Sequence, residues 1–332
     1  MFRSSNIQNG CMDYKDIVRV NKNVKEKLIT KKDDLLVCAR NGSARLIGKN
    51  AILHETDANQ TFGAFMMVFR SDKNHFVHQL LNTRRYSSQV SENLGARINQ
   101  ITSSDLSSFE FFFPKGNNEM NKISALLDLL DERIATQNKI IEDLKKLKSA
   151  ISKKLLCNDK WTTYKIQDIA EIGRGRVISS VEIDRQKHPL YPVYSSQTSN
   201  DGIMGYLDEY MFDGEYITWT TDGANAGTVF YRKGMFNCTN VCGTLKILPK
   251  FDCYFVSLVL QQATQKYVSS NLANPKLMNN TMASIKIKMP DIKTQKQLSK
   301  IFQTLDSCLL VHQRTCCMYS REKQYLLCQM FI

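Results

Sequence analysis

One heptad seam occurs twice in the chain, and this repeat constrains the fold more than any other feature of the sequence. Residues recur at alternating steps of four and three, the spacing of a coiled-coil seam. The first seam comprises Ile123, Leu127, Leu130, Ile134, Ile141, Leu144, Ile151 and Leu155, interrupted by Gln137 and Lys148. The second lies 175 residues later and comprises Leu298, Phe302, Leu305, Leu309, Leu326 and Met330, interrupted at the matching positions by His312 and Lys323. The sequence therefore predicts two long helices, each closing one half of a duplicated protein.

The segments before the two helices also correspond. Residues 109–114 and 285–290 each read as a strand that is ended by a proline, which cannot continue a ladder of hydrogen bonds. Further upstream, residues 35–43 parallel residues 216–224, and in both a strand is followed by an Asn-Gly or Asp-Gly turn. Each half is therefore predicted to be a strand-rich globule followed by a helix.

These patterns predict an α+β protein with two strand-rich domains. The expected organisation is a first domain at 1–115, a helix at 116–157, a second domain at 158–291 and a helix at 292–332. The two helices, about 48 Å long over the seam at about 1.5 Å per residue, are expected to pack as an antiparallel coiled coil with pseudo-two-fold symmetry. The first domain is expected to be shortened at its start, since nothing in it matches residues 161–175.

The balance of charges favours a polyanionic partner. The chain has 45 Lys and Arg against 32 Asp and Glu, a formal net charge of +13. Basic proteins concentrate near phosphate and release its counterions on binding, so nucleic acid is the favoured partner, with an indifferent basic surface as the alternative. Ten scattered cysteines without a CxxC pair, no apolar core of a signal peptide and no long apolar run indicate a cytoplasmic protein without a membrane anchor.

Catalytic signatures are mostly absent from the sequence. An adenine methyltransferase would need an Asn-Pro-Pro-aromatic pocket, whereas the chain has only Asn274-Pro275-Lys276. The five histidines do not combine with cysteines at zinc spacing. We therefore expect neither an enzyme nor a metal or other cofactor site in this chain, and a stand-alone nuclease or methyltransferase is the disfavoured alternative.

Polar turns supply the candidate DNA contacts. Arg and Lys suit guanine and phosphate, whereas Asn and Gln suit adenine. In the first half the candidates are Arg40, Asn41, Ser43, Arg45, Lys49, Arg84, Arg85 and Arg97. In the second half they are Arg174, Arg176, Ser196, Gln197, Thr221, Asp222, Asn225, Lys276 and Asn279. The alternative for each is a solvated turn without a ligand.

The arrangement resembles the specificity (S) subunit of type I restriction–modification systems. Residues 123–137 and 141–148 are similar to that family's central spacer helix, 326–332 to its C-terminal helix end, and 161–175 to the opening of a target-recognition domain. Residues 3–10 look like an internal segment of such a domain.

The resemblance implies a subunit that performs no chemistry. Each globule would recognise one half of a split site in double-stranded DNA, and the helices would set the spacing. Two methyltransferase (M) subunits and two restriction (R) subunits would join it and use S-adenosylmethionine, ATP and Mg²⁺. A scaffold that does not recognise DNA, or a silent recombining gene segment, remains the alternative because of the shortened first domain.

Overall fold

The computed structural model describes residues 1–94, 99–156, 158–269 and 274–331. The chain divides into two compact units: unit 1 is Met1–Glu142 with Leu310–Ile332, and unit 2 is Asp143–Leu309. Both units mix strands and helices, as the sequence predicts. Among the described residues, no helix is both long and apolar enough to cross a membrane.

Unit 1 is built on a three-stranded antiparallel sheet. The strands of unit 1 are β1 (Ile7–Gln8), β2 (Cys11–Met12), β3 (Leu35–Cys38), β4 (Asn50–Ile52) and β5 (Met66–Phe69). The helices of unit 1 include α1 (Asn74–Leu80), α2 (Arg84–Asn93), α3 (Ser103–Ser108) and the first part of α4 (Asn117–Leu155). The central strand β3 pairs with β4 and β5. All four residues of β3 are buried, and alternate side chains serve opposite faces. Leu36 packs with Phe2 and Leu53, whereas Leu35 packs with Tyr86 and Ile101.

Unit 2 has a larger sheet. The strands of unit 2 are β6 (Thr162–Lys165), β7 (Ala170–Arg174), β8 (Tyr191–Tyr194), β9 (Ile203–Leu207), β10 (Glu215–Thr220), β11 (Val229–Lys233), β12 (Asn237–Cys238), β13 (Cys242–Ile247) and β14 (Lys286–Met289). The helices of unit 2 include α5 (Ser180–Asp184), α6 (Cys253–Ala263), α7 (Asn279–Ser284) and the part of α8 (Ile292–Met330) that ends at Leu309. One sheet has the order β11-β10-β13-β7. Trp219 of β10 is fully buried and donates its Nε1–H to the Leu277 carbonyl at 2.9 Å. Gly243 on β13 is required beside it, because a Cβ there would lie 2.2 Å from the Trp219 ring.

The repeat predicted from the sequence is present in the topology. The order β4-β3-β5 in unit 1 corresponds to β11-β10-β13 in unit 2, and α3 precedes α4 as α7 precedes β14 and α8. Unit 2 additionally places β7 beside β13 and β6 beside β14. Among the described residues of unit 1, no strand takes either of these two places.

This difference corrects one prediction, since residues 109–114 do not form a strand. In unit 2 the corresponding β14 pairs with β6 along its whole length. In unit 1 the carboxamide of Gln89 accepts from Glu110 N at 2.8 Å and donates to Glu110 O at 3.2 Å. One side chain satisfies one residue's peptide groups but cannot form a ladder, so this segment stays irregular.

The long helices pack antiparallel within each unit. In unit 1, Gln137 Oε1 lies 2.7 Å from His312 Nδ1, and Asp131 Oδ1 lies 2.6 Å from Lys323 Nζ. Earlier residues of α4 therefore meet later residues of α8, which makes the pair antiparallel. Leu127, Leu130 and Leu327 are buried between the two helices there. The predicted seam residue Met330 is the exception. It is 37% exposed, whereas Leu327 is 3% exposed and takes the buried position.

The same arrangement occurs within unit 2. Ile151 of α4 packs against a core that contains Phe302 of α8. Lys148 donates a hydrogen bond to Asp306 across the two helices. The antiparallel pairing predicted from the seam is therefore present in both units.

Candidate nucleic-acid interface

A polar loop follows the central strand of unit 1. We call residues 39–43 the β3 loop. Ile101 N donates to Ala39 O at 2.8 Å, and Asn41 N donates to Asn99 O at 3.3 Å. These two bonds fix the loop on the segment that leads into α3.

The corresponding loop of unit 2, residues 221–225 or the β10 loop, is held in the same way. Leu277 N donates to Thr221 O at 2.9 Å, and Gly223 N donates to Pro275 O at 3.0 Å. This segment leads into α7, the counterpart of α3. Both units therefore present a loop on the same backbone frame, and the side chains that the two loops carry are different.

Four of the predicted contact residues meet at the β10 loop. Arg174, at the end of β7, donates from Nη2 to Thr221 Oγ1 at 3.1 Å and to Asp222 Oδ2 at 3.4 Å. Lys276 Nζ lies 3.6 Å from Asp222 Oδ1. The arginine and lysine side chains are 36% and 42% exposed, so two cations share one carboxylate at the surface. Such a cluster carries net positive charge and can donate to phosphate or to guanine.

The remaining predicted residues near this loop differ in how freely they can bind a ligand. Asn225 donates to Ser196 O at 3.4 Å, which brings these two predicted residues together. Gln197 donates its amide to Ile203 O, and Asn279 donates to Gly173 O at 3.3 Å. The amides of Gln197 and Asn279 are thus already bonded to backbone carbonyls of the protein.

Arg176 is occupied by a neighbouring carboxylate. Its Nη1 donates to Glu182 Oε2 at 3.0 Å, and its Nη2 donates to Glu182 Oε1. This pairing raises the pKa of Arg176 and lowers the pKa of Glu182. A ligand phosphate would have to compete with Glu182 for the guanidinium.

In unit 1, the β3 loop brings two of the predicted residues into contact. Asn41 Oδ1 accepts from Ser43 N at 3.1 Å, while its Nδ2 donates to Ser4 Oγ at 3.0 Å. The guanidinium carbon of Arg40 lies 5.2 Å from the centroid of the Phe65 ring, close enough for a cation–π contact. The β3 loop thus carries an arginine and an amide, whereas the β10 loop carries a hydroxyl and a carboxylate.

The other candidates of unit 1 lie elsewhere. Arg45 and Lys49 line a cleft of about 430 Å³ together with Tyr86. Arg84 and Arg85 line another cleft with residues of α8, and Arg85 also donates to Glu110 O at 2.8 Å. Arg85, whose guanidinium also lies 4.8 Å from the Phe112 ring centroid, therefore holds the 109–113 segment. Arg97 lies outside the described residues.

A group with the spacing of metal ligands lies in unit 1, although the sequence predicts no metal site. Ligand atoms of His78, Asp128 and Asp131 lie within 4.8 Å of one another. Both oxygens of Asp131 accept from Lys323 Nζ at 2.6 Å, and Gln79 donates to Asp128 at 2.9 Å and to Asp131 at 3.1 Å. The ammonium group of Lys323 therefore already lies against the Asp131 carboxylate. The cluster of His78, Asp128 and Asp131 does not fit a metal ion for this reason.

Arg232, which no motif in the sequence indicates, supports the surface next to the β10 loop. It is buried, and its guanidinium carbon lies 3.6 Å from the ring centroid of Tyr194. The only sequence signal is the alternation of Phe230 and Arg232, which places both side chains on one face of a strand.

Comparisons with known proteins decide the family. The family model of the type I restriction modification DNA specificity domain matches residues 158–315. A Mycoplasma pneumoniae protein named as the type I specificity subunit S.MpnORF289P N-terminus is 46% identical over 147 residues, which are 43% of this chain and 76% of that protein. The chain belongs to the type I specificity subunit family.

Further specificity subunits agree. S.MpnORF365P of Mycoplasma pneumoniae is 36% identical over 211 residues, covering 61% of this chain and 78% of the relative. The MpnII specificity subunit of the same organism is 42% identical over 145 residues, covering 43% of each chain. The crystal structure of an S subunit from M. genitalium has the same fold, with a TM-score of 0.74 at 20% identity, covering 100% of this chain and 92% of that one.

Family membership fixes the coarse function. As a specificity subunit, the chain recognises DNA sequence within a complex, and the catalytic activities of the complex lie in other subunits. The scaffold and silent-segment alternatives are not favoured. The resemblance noted in the sequence is confirmed.

Proposed function

We propose that each half of this specificity subunit contacts one half of a split DNA target through its central-strand loop, the β3 loop in unit 1 and the β10 loop in unit 2. The observation that carries the proposal is the matched pair of backbone hydrogen bonds that holds each loop. A constant frame with variable side chains allows two different half-sites to be recognised by one repeated design.

The side chains suggest the kind of contact that each loop makes. Arg40 suits guanine and Asn41 suits adenine in the major groove. Asp222 accepts hydrogen bonds and so suits the amino group of cytosine, while Arg174 and Lys276 neutralise phosphate. Contacts to bases would choose the sequence, whereas contacts to phosphate would fix the register.

The proposed partners are double-stranded DNA, two methyltransferase subunits and two restriction subunits, in the cytoplasm. In this proposal S-adenosylmethionine, ATP and Mg²⁺ bind to the partner subunits. The domain boundaries 1–115, 116–157, 158–291 and 292–332 complete the proposal, with both helices acting as spacers.

The test is to express the chain with the methyltransferase subunit of its own genome in a host without DNA methylation, followed by mapping of methylated bases. We expect methylation at one split motif that disappears when this chain is omitted. Methylation that persists without this chain would refute the proposal. A stable complex that methylates nothing would also contradict it.

A further inference from the structure

Arg232 is a charged side chain inside unit 2. It lies on β11, and only 4% of it is exposed. A buried guanidinium is strongly destabilising unless hydrogen bonds and an opposite charge replace the lost water. The groups that surround Arg232 therefore show what it supports.

The shorter hydrogen bonds of Arg232 go to Asp201, in the connection between β8 and β9. Arg232 Nη1 donates to Asp201 Oδ2 at 2.7 Å, and Nη2 donates to the Asp201 carbonyl at 2.8 Å. Its guanidinium carbon lies 3.6 Å from the ring centroid of Tyr194 and 4.4 Å from that of Phe230. The side chain is thus fixed between two rings and holds both the carboxylate and the backbone of Asp201.

The segment that it holds has an unfavourable backbone. We call residues 195–202 the β8–β9 loop. Asn200, Asp201 and Gly202 have φ values of 50°, 53° and 80°. For the two residues with a side chain this conformation costs about 1 kcal/mol each, so it persists only where its surroundings fix it. A Cβ on Gly202 would lie 3.2 Å from Arg232 Nη2, so the loop packs directly on the guanidinium.

This loop adjoins the β10 loop. Asn225 of the β10 loop donates to Ser196 O of the β8–β9 loop at 3.4 Å. Thr198, Ser199 and Asn200, which follow Ser196 in the same loop, are exposed. The loop therefore adds hydroxyl and amide groups to the surface that carries Arg174, Asp222 and Lys276.

We propose that Arg232 is a positioning residue for DNA sequence recognition, which it serves by holding the β8–β9 loop against the β10 loop. The proposal rests on the proposed function of unit 2. Since Arg232 is buried between two rings, it acts through the loop and makes no contact with phosphate. Its removal changes which bases are selected at one half-site, and it leaves the number of phosphate contacts unchanged.

The experiment uses the full chain in complex with its methyltransferase subunit. The probe is a pool of DNA duplexes with a randomised centre, selected for binding at several salt concentrations and sequenced. Arg232→Lys keeps the charge but cannot donate to both Asp201 oxygens while stacked between two rings. Lys233→Gln is the matched control, since Lys233 is the next residue of the same strand and its side chain is 71% exposed.

We expect Arg232→Lys to lose discrimination by about tenfold or more at base pairs of one half-site. The other half-site and the dependence of affinity on salt should be unchanged. Lys233→Gln should keep both half-sites. A folded Arg232→Lys complex that selects the wild-type motif overturns the proposal, and so does a salt slope that falls by about one, which indicates a direct phosphate contact.

A second variant covers the case in which Arg232→Lys does not fold. Asp201 is 67% exposed at its side chain, and Asp201→Asn keeps a residue that tolerates the left-handed conformation while removing the charge pair. It should weaken discrimination at the same half-site, and unchanged selection overturns the proposal. If the wild-type complex selects no split motif, the proposed function itself fails, which separates the two failures.

Discussion

The Nζ atom of Lys323 lies 2.6 Å from each carboxylate oxygen of Asp131. The lysine side chain is 10% exposed and the aspartate 26%, so this ion pair is largely shielded from water. Lys148 and Asp306 stand 175 positions from these residues and form the matching pair within unit 2. The lysines that interrupt both seams are therefore partners of aspartates on the opposite helix.

Removing the ammonium should destabilise unit 1. Lys323→Met leaves Asp131 without its cationic partner between the two helices. We expect the free energy of unfolding to fall by about 1–3 kcal/mol, less than for a fully buried pair because Asp131 is partly exposed. Urea unfolding followed by circular dichroism measures this change. Lys146→Met is the control, since Lys146 is 71% exposed and pairs with Asp143 on its own helix. Equal effects of both variants would contradict the expected role of Lys323.

The polar pair in the seam should be energetically coupled. His312 Nδ1 and Gln137 Oε1 lie 2.7 Å apart in unit 1. Either single change to leucine leaves a half-buried polar group without its partner, whereas the double change replaces both by apolar side chains. We expect the double variant to unfold at a higher temperature than either single variant, with a coupling of about 0.5–2 kcal/mol. Additive effects in thermal unfolding would show that the two residues do not interact.

The stability of unit 1 should depend on pH through one buried histidine. Burial lowers the pKa of His78 to about 4, helped by Lys323 and His75 and opposed by Asp131 and Asp128. Its ordinary pKa is about 6.5, so the unfolded chain binds the proton more readily. The stabilising contribution is therefore present above about pH 6.5 and is lost as the pH falls through about 4.

The change His78→Gln removes this titration. Between pH 6.5 and pH 4, we expect the wild type to lose about 3 kcal/mol more than the variant. The measurement is urea unfolding at several pH values. His188→Gln is the control because His188 is exposed, and it should follow the wild type. Parallel pH curves for wild type and His78→Gln would contradict the assignment.

The cluster at the β10 loop should determine part of the salt dependence. Lys276→Gln removes one of the two cations beside Asp222, and we expect weaker binding to all DNA sequences with a salt slope smaller by about one. Asp222→Asn removes the competing carboxylate and should strengthen general binding while relaxing the preference at one base pair. Fluorescence anisotropy on duplex DNA measures both effects. Lys246→Gln, an exposed residue near the other end of β13, is the charge-matched control. An identical slope for Lys246→Gln and Lys276→Gln would remove Lys276 from the interface.

The helices and the repeat could be predicted because their signals are local and periodic. Leu127 and Phe302 follow a heptad that needs no knowledge of distant contacts. The prediction of a strand at 109–114 is wrong because a strand needs a partner strand. In unit 1 the peptide groups of Glu110 bond instead to the Gln89 side chain. Met330 is exposed, because Leu327 occupies the buried position at the end of the seam.

The candidate site could be predicted residue by residue but not as a surface. Polar turns indicated Arg174, Asp222 and Lys276 separately, and only the register of β7 on β13 brings Arg174 to the β10 loop. Arg176 looked equally suitable in the sequence, yet the pairing with Glu182 depends on the turn before α5. The alternation of Phe230 and Arg232 along a strand does not indicate the positioning role, because that role comes from the tertiary contact of Arg232 with Asp201.

Genomic methylation mapped for two variants that each change one loop shows whether the two loops divide recognition of the target. Asn41→Ala alters the β3 loop and Asp222→Ala alters the β10 loop, while both leave the opposite loop intact. We expect each variant to relax or change a different half of the split motif and to preserve the spacing between the halves. If both variants alter the same half, or neither alters the motif in a folded complex, the two loops do not divide recognition of the target between them.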